Sequence, residues 1–162
     1  MIALSRDAYD DIVYHAYTGG DEEVCGLLAG EYGDGESRVH EVRRAENAAE
    51  TPQVRYRIDP REQFEMVEAV ESAGLDIVGF YHSHPSGPTV PSETDLGRAT
   101  WPDRSYVICA LDGYPFVGSW RYRDAGAFDT EPVTVPATVA PAEWRRSRRG
   151  SGTDPAPGFV PA

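Results

Sequence analysis

The chain has 162 residues, enough for one domain with a real core that needs no disulfide stapling. Apolar residues make up 40%, which excludes a disordered chain, and no run approaches the ~18 apolar residues of a membrane span. Its 27 acids outweigh 15 bases, and the resulting charge of −12 excludes a sequence-blind nucleic-acid binder, which needs a basic face.

All of the bases are Arg; there is no Lys. The chain therefore has no side-chain amine on which to carry an isopeptide-linked modifier itself. Acid excess without Lys fits a host with high internal salt, where screening relieves self-repulsion. A GC-rich genome favouring Arg codons gives the same bias. Met1 to Asp7 has neither the basic start nor the apolar stretch of a signal peptide, so a cytoplasmic location is expected. Cys25 and Cys109 lie in separate apolar runs and have no CxxC partners. They read as buried core residues rather than zinc ligands, and sheet neighbours of this kind can oxidise to a disulfide.

In chain order, Tyr9, Ile12, Val13 and Ala16 recur with helical spacing, predicting a helix over 6–18 that Gly19-Gly20 stops. A strand over 24–32 and another over 37–44 form a hairpin through the Gly-Asp-Gly turn at 33–35. Residues 45–53 read as loop and Val54–Ile58 as a short alternating strand. Asp59-Pro60-Arg61-Glu62 is a helix start, with Phe64, Val67 and Val70 as the buried stripe and Gly74 as the stop. Asp76–His82 reads as a buried strand, 83–91 as a Pro/Gly-rich loop, and 92–99 as a short helix. Strands over 105–111 and 116–122 flank the turn Asp112-Gly113-Tyr114-Pro115, and Glu131–Val135 adds an edge strand. The expected fold is α+β: one mixed sheet, two main helices and a short one. A catalytic domain is expected over 1–125 and an edge strand with linker over 126–136. Residues 137–162, with the Arg145-Arg146-Ser147-Arg148-Arg149 cluster, read as a disordered tail.

The chemistry concentrates between Tyr81 and Asp95. His82 and His84 sit at i and i+2, so an extended chain points both imidazoles the same way. A Pro/Gly-rich loop turns the chain back, and Asp95 falls in the first turn of the next helix, where a carboxylate is welcome. Two His and one carboxylate, with one position left open, are the ligand set of a catalytic zinc site. Each part has an ordinary reading too. A His at a strand end is commonly just hydrogen-bonded, and Ser92 with Asp95 is a plain helix cap. The full spacing His-x-His-x7-Ser-x2-Asp arises by chance on the order of once in 10^5 starting points.

This spacing resembles the JAMM motif of the MPN+ metalloproteases at every fixed position. Glu23-Val24-Cys25-Gly26 resembles the family's upstream Glu, and only that likeness chooses Glu23 over Glu22. The resemblance spans roughly 1–125 and implies the MPN, cytidine-deaminase-like fold. It implies one Zn²⁺ held by His82, His84 and Asp95, Glu23 as proton carrier, and Ser92 as donor to the oxyanion. The Lys-free acidic composition looks like haloarchaeal members, the desampylases that act on small archaeal modifier proteins. The implied reaction is hydrolysis between the C-terminal Gly of a ubiquitin-like modifier and a target lysine, with linear fusions as a further substrate. The partners are then such modifiers and their conjugates, with no nucleic acid and no membrane.

Segment 45–57 is the expected docking strand for the modifier's extended tail, by strand addition. Only residues 96–104 separate Asp95 from the next strand, which leaves no room for a large second insertion and implies broad acceptor selectivity. Pro85, Gly87 and Pro91 read as loop shapers, and His15 and His40 as ordinary helix and hairpin residues. Three alternatives remain open: release of a C-terminal residue or fusion from a sulfur-carrier protein, a non-catalytic MPN scaffold, and a RadC-like protein. The scaffold expects a missing ligand. The RadC-like reading expects an N-terminal helical DNA-binding region that is not evident here.

Overall fold

A computed structural model describes residues 1–113, 116–123 and 126–137. The order is β1 (Ile2–Leu4), α1 (Arg6–Gly19), β2 (Cys25–Glu31), β3 (Ser37–Ala45), α2 (Pro60–Ser72) and β4 (Asp76–Ser83). There follow α3 (Glu93–Arg98), β5 (Ser105–Cys109), β6 (Val117–Arg123), β7 (Ala127–Glu131) and β8 (Val133–Thr134). The helix signals act as read: Ser5 Oγ accepts from Ala8 N–H at the start of α1. The Asp59 carboxylate accepts from the Arg61 and Glu62 amides at the start of α2, with Pro60 in the first turn.

All eight strands form one mixed sheet in the order β7-β6-β5-β4-β2-β3-β1-β8, with β1–β3, β1–β8 and β4–β5 parallel. Only Pro132 separates the two edge strands β7 and β8, so the edges approach and the sheet curls toward a barrel. A buried ion pair marks this junction. Glu131 Oε1 accepts from Arg121 Nη2 at 2.7 Å and Nε at 3.1 Å, and Oε2 accepts from Ser119 Oγ at 2.8 Å.

The helices cover opposite faces. Ile12 and Ala16 of α1 pack with Leu28, Val78, Val107 and Cys109, whereas Val70 of α2 packs with Cys25, Leu27, Ile77 and Phe80. A register shift where Leu28 pairs Gly79 and Ala29 pairs Ile77 puts both Ile77 and Phe80 on the α2 face. Phe80, His82 and His84 then continue along that face at alternate positions. A Cβ on Gly79 would overlap the Ser105 carbonyl, so glycine is what lets β5 pair closely here.

Several expectations need correction. Val54–Ile58 forms no strand: residues 52–54 are a turn, and the segment carries no ladder bonds. The three-residue β1 and the strand β7 were not anticipated. Cys25 and Cys109 are both free and buried, on opposite faces of the sheet with β4 between their strands, so they do not pair. The expected disordered tail lies, from residue 138, outside the described residues, as do Tyr114 and Pro115 of the expected turn.

Candidate functional site

The end of β4 and the start of α3 meet over the α2 face of the sheet. His82 Nε2 lies 3.1 Å from His84 Nε2 and 3.4 Å from Asp95 Oδ1, and His84 Nε2 lies 3.6 Å from Asp95 Oδ2. One ligand atom from each of the three lies within 4.8 Å of the others. A tetrahedral ion with ligands at about 2.0–2.1 Å spaces its donors about 3.3–3.4 Å apart. The His82–His84 and His82–Asp95 Oδ1 separations lie close to that spacing, His84 approaches the other carboxylate oxygen, and two imidazoles with a carboxylate are a fitting donor set for zinc.

Each of the three candidate ligands is held differently. His84 Nδ1 donates to the Pro88 carbonyl at 2.7 Å, which leaves the Nε2 lone pair facing the cluster. The loop 83–91 therefore fixes a tautomer as well as turning the chain. His82 is 1% exposed, and its Nδ1 has no hydrogen-bond partner among the described residues. Its ring is held instead by Tyr56, which stacks on it at 4.5 Å and 24°. Asp95 is held by Ser92, whose N–H and Oγ both donate to Oδ2 at 2.7 Å, while Asp95 N–H donates to Ser92 Oγ at 3.1 Å. The capping box and the ligand support are thus the same residues. In this arrangement the Ser92 hydroxyl hydrogen bond is already committed to Asp95 Oδ2.

Glu23 arrives from the segment that leads into β2, two residues before Cys25. Cys25 pairs His82, and Val24 and Ser83 bond through their backbones and through Ser83 Oγ, which accepts the Val24 N–H at 2.9 Å. Continuing this antiparallel register brings Glu23 beside His84. Glu22 is exposed whereas Glu23 is 6% exposed, and Glu23 Oε2 has no hydrogen-bond partner among the described residues. A buried carboxylate oxygen without a donor is unfavourable. It is placed to receive a proton or a water beside the cluster.

The electrostatics follow from this crowding. Burial pushes the Glu23 carboxyl up to about 7, with Asp95 adding to the rise and His84 opposing it. Burial lowers His82 against the pull of Asp95. For His84, burial is outweighed by Asp95, the Pro88 carbonyl and Glu23, so its pKa rises. For Asp95, burial is outweighed by the two imidazoles and Ser92, which hold it well below the usual carboxylate range. Asp95 is thus an anion at neutral pH, whereas Glu23 is poised to exchange a proton there.

Tyr56 had no role in the sequence reading, where it fell in a supposed strand; nothing local marks it out. It also lines a cavity of about 400 Å³ beside the cluster, with Phe80, Arg98, Trp101 and Tyr106. His15 lies on the opposite face, where its Nδ1 meets the Tyr81 hydroxyl at 2.7 Å, and His40 faces Glu31.

Comparison with known proteins points to one family. Prok-JAB, prokaryotic homologs of the JAB domain, matches residues 5–123. A desampylase of Haloferax volcanii is 47% identical over 124 residues, covering 74% of this chain and 87% of the relative. A CysO-cysteine peptidase of Mycobacterium tuberculosis is 35% identical over 137 residues, covering 83% of this chain and 91% of the relative. A solved structure from Desulfitobacterium hafniense has a TM-score of 0.75 at 28% identity, covering 85% of this chain and 94% of that one.

Proposed function

Because the chain belongs to the Prok-JAB family of JAB-domain homologs, we propose that it is a JAMM-type metal-dependent isopeptidase that removes ubiquitin-like modifiers from target lysines. The observation that carries this reading is a three-donor cluster of zinc-like spacing with a buried carboxylate just ahead of β2, the strand paired with β4.

In this reading His82, His84 and Asp95 hold Zn²⁺. When bound, zinc supplies Lewis acidity, polarising a carbonyl oxygen and acidifying water near neutral pH. Glu23 takes a proton from the attacking water at its free Oε2 and passes it to the departing lysine amine. Burial raises the proton affinity of this carboxyl above that of an exposed glutamate, which favours its service as a proton carrier. Ser92 orients Asp95, and it donates to the oxyanion when its hydroxyl turns from Asp95 toward the substrate. Tyr56 and Pro88 fix the two imidazole rings. The modifier's tail lies along segment 45–57, which holds Tyr56 against His82.

The substrate class follows the Haloferax relative: a small archaeal modifier joined through its C-terminal Gly to a lysine. The CysO-cysteine peptidase relative favours a second substrate, a carrier protein bearing a single residue or a linear extension. No helix among the described residues is long and apolar enough to cross a membrane. The acidic, Lys-free chain fits a saline cytoplasm.

The test is incubation with modifier–lysine conjugates and with a linear fusion, with and without chelator, beside Glu23→Ala and His82→Ala. Native protein is expected to release free modifier. Chelation should abolish release, Zn²⁺ should restore it, and both variants should be inactive. Full turnover under exhaustive chelation would overturn the metal-dependent reading.

A further inference from the structure

Both backbone groups of Glu23 are bonded to one loop. Its N–H donates to the Pro52 carbonyl at 2.7 Å, and its carbonyl accepts from Asn47 Nδ2 at 2.8 Å. The Asn47 amide uses its remaining capacity within the same loop. Nδ2 also donates to the Arg55 carbonyl at 3.0 Å, and Oδ1 accepts from Ala49 N–H at 3.0 Å and Arg57 N–H at 3.1 Å. Four bonds saturate both donors and the acceptor of one half-buried side chain. Two of them fall on Arg55 and Arg57, the residues flanking Tyr56, whose ring stacks on His82. A single amide thus ties the residue that precedes β2 to the turn that presents Tyr56.

We propose that Asn47 is a positioning residue for turnover, setting the backbone from which Glu23 reaches the cluster and holding Tyr56 against His82. The inference rests on the role assigned to Glu23 above. Among the described residues Glu23 Oε2 has no hydrogen-bond partner, so the placement of the side chain depends on a backbone fixed from both sides. On the sheet side that fixing comes from Ser83, and on the loop side from Asn47 and Pro52. Deleting residues 47–52 would remove the clasp together with any docking strand, so a point variant is the more discriminating probe.

Asn47→Asp is nearly isosteric and divides the clasp. It keeps an oxygen to accept from Ala49 and Arg57 but cannot donate to Glu23 or Arg55. The expected result is a folded protein that still binds one Zn²⁺ per chain. Its kcat should fall about 100-fold, the scale for a misplaced catalytic group and a larger change than any rise in KM from the loosened docking loop. Hydrogen exchange of the zinc-free protein gives a readout independent of activity. The Glu23 amide should lose at least tenfold protection, while the Val107 amide in β5 stays unchanged.

Wild-type kcat in Asn47→Asp would overturn the proposal. So would a raised KM at unchanged kcat, which would make the loop a docking element only, or loss of zinc or fold, which would make Asn47 a general structural residue. If the wild-type protein itself cleaves no conjugate, the functional reading fails separately. Exchange at Glu23 then decides the clasp alone, and unchanged protection overturns it.

Discussion

Tyr56 lies nearly flat on the ring of His82, with centroids 4.5 Å apart and the planes at 24°. Among the described residues His82 Nδ1 has no hydrogen-bond partner, where ligating imidazoles ordinarily make one, so under the proposed zinc-binding role this contact takes over the orienting task. Tyr56→Ala frees the ring and should weaken zinc binding about 10- to 100-fold, the scale for losing an orienting partner. Tyr56→Phe keeps the stacking and should bind zinc within about threefold of wild type. Competition with a fluorescent chelator measures both. Equal affinity for the Ala variant would mean that the β4 backbone alone sets the ring.

Glu23 makes native stability depend on pH in an unusual direction. An unfolded glutamate loses its proton near 4.5, whereas the buried native carboxyl keeps it to about 7. Between those values the native state binds more protons, so stability falls as pH rises, and the loss is complete above about 7. A displacement of that size corresponds to on the order of 3 kcal/mol for a group that is 6% exposed. Glu23→Gln removes this contribution to the dependence. In zinc-free protein, the stability difference between wild type and Glu23→Gln should widen from pH 4.5 to 7 in denaturant titrations. A constant difference would show that Glu23 ionises freely.

Much of the fold is legible because its signals are local. The caps at Ser5 and Asp59 and the apolar run of β4 act over a few residues. The cluster His82, His84 and Asp95 falls within fourteen residues of sequence, on a strand end, a loop and a cap, each with its own signature. What was not legible is tertiary. β1 is three residues long and exists through pairing with β3 and β8, distant in sequence. Val54–Ile58 alternates because Tyr56 covers His82 and Ile58 enters the α2-side core, not because it joins a ladder. Asn47 sits in a stretch of loop-forming residues, and its four bonds cannot be inferred from its neighbours. Glu23 was separable from Glu22 only through family resemblance; in the structure, burial separates them.

Ser92 caps α3 and, in the proposed mechanism, donates to the oxyanion, two roles that substitution can separate. As a cap it accepts from Asp95 N–H, and removing a cap costs about 1 kcal/mol. As an oxyanion donor its loss costs about 10²–10³ in kcat. Ser92→Ala should therefore lower the thermal midpoint by only a few degrees but reduce kcat at least about 100-fold. Ser92→Thr, which retains a hydroxyl, should recover most of both. A kcat loss below about tenfold in Ser92→Ala would leave Ser92 as cap and Asp95 support alone.

The Arg121–Glu131 pair should govern closure of the sheet rather than catalysis. Arg121 and Glu131 are 4% exposed each, and Arg121 also donates to Ser37 Oγ at 3.3 Å, linking β6 to the start of β3. Glu131→Ala strands a buried guanidinium and should cost about 3–5 kcal/mol, lowering the midpoint by about 10 °C. Arg121→Met with Glu131→Leu removes both charges and should recover most of that loss. At a temperature where every variant is folded, kcat should be unchanged. A double variant as unstable as Glu131→Ala would mean that hydrogen bonds to Ser37 and Ser119, not charge pairing, hold the junction.

Net charge predicts the response to salt. With 27 acids and 15 bases, self-repulsion opposes compaction at neutral pH, and raising salt from 0.1 to 1 M shortens the screening length from about 10 to about 3 Å. The thermal midpoint at pH 7 should therefore rise steadily with KCl up to molar concentrations. At pH 4.6, the sequence isoelectric point, there is little net charge left to screen, and the increment should largely vanish. Salt-driven strengthening of apolar burial does not depend on net charge, so it would raise the midpoint equally at both pH values. Equal increments would attribute the salt response to the core, and no increment at pH 7 would remove the physical basis for the proposed saline setting.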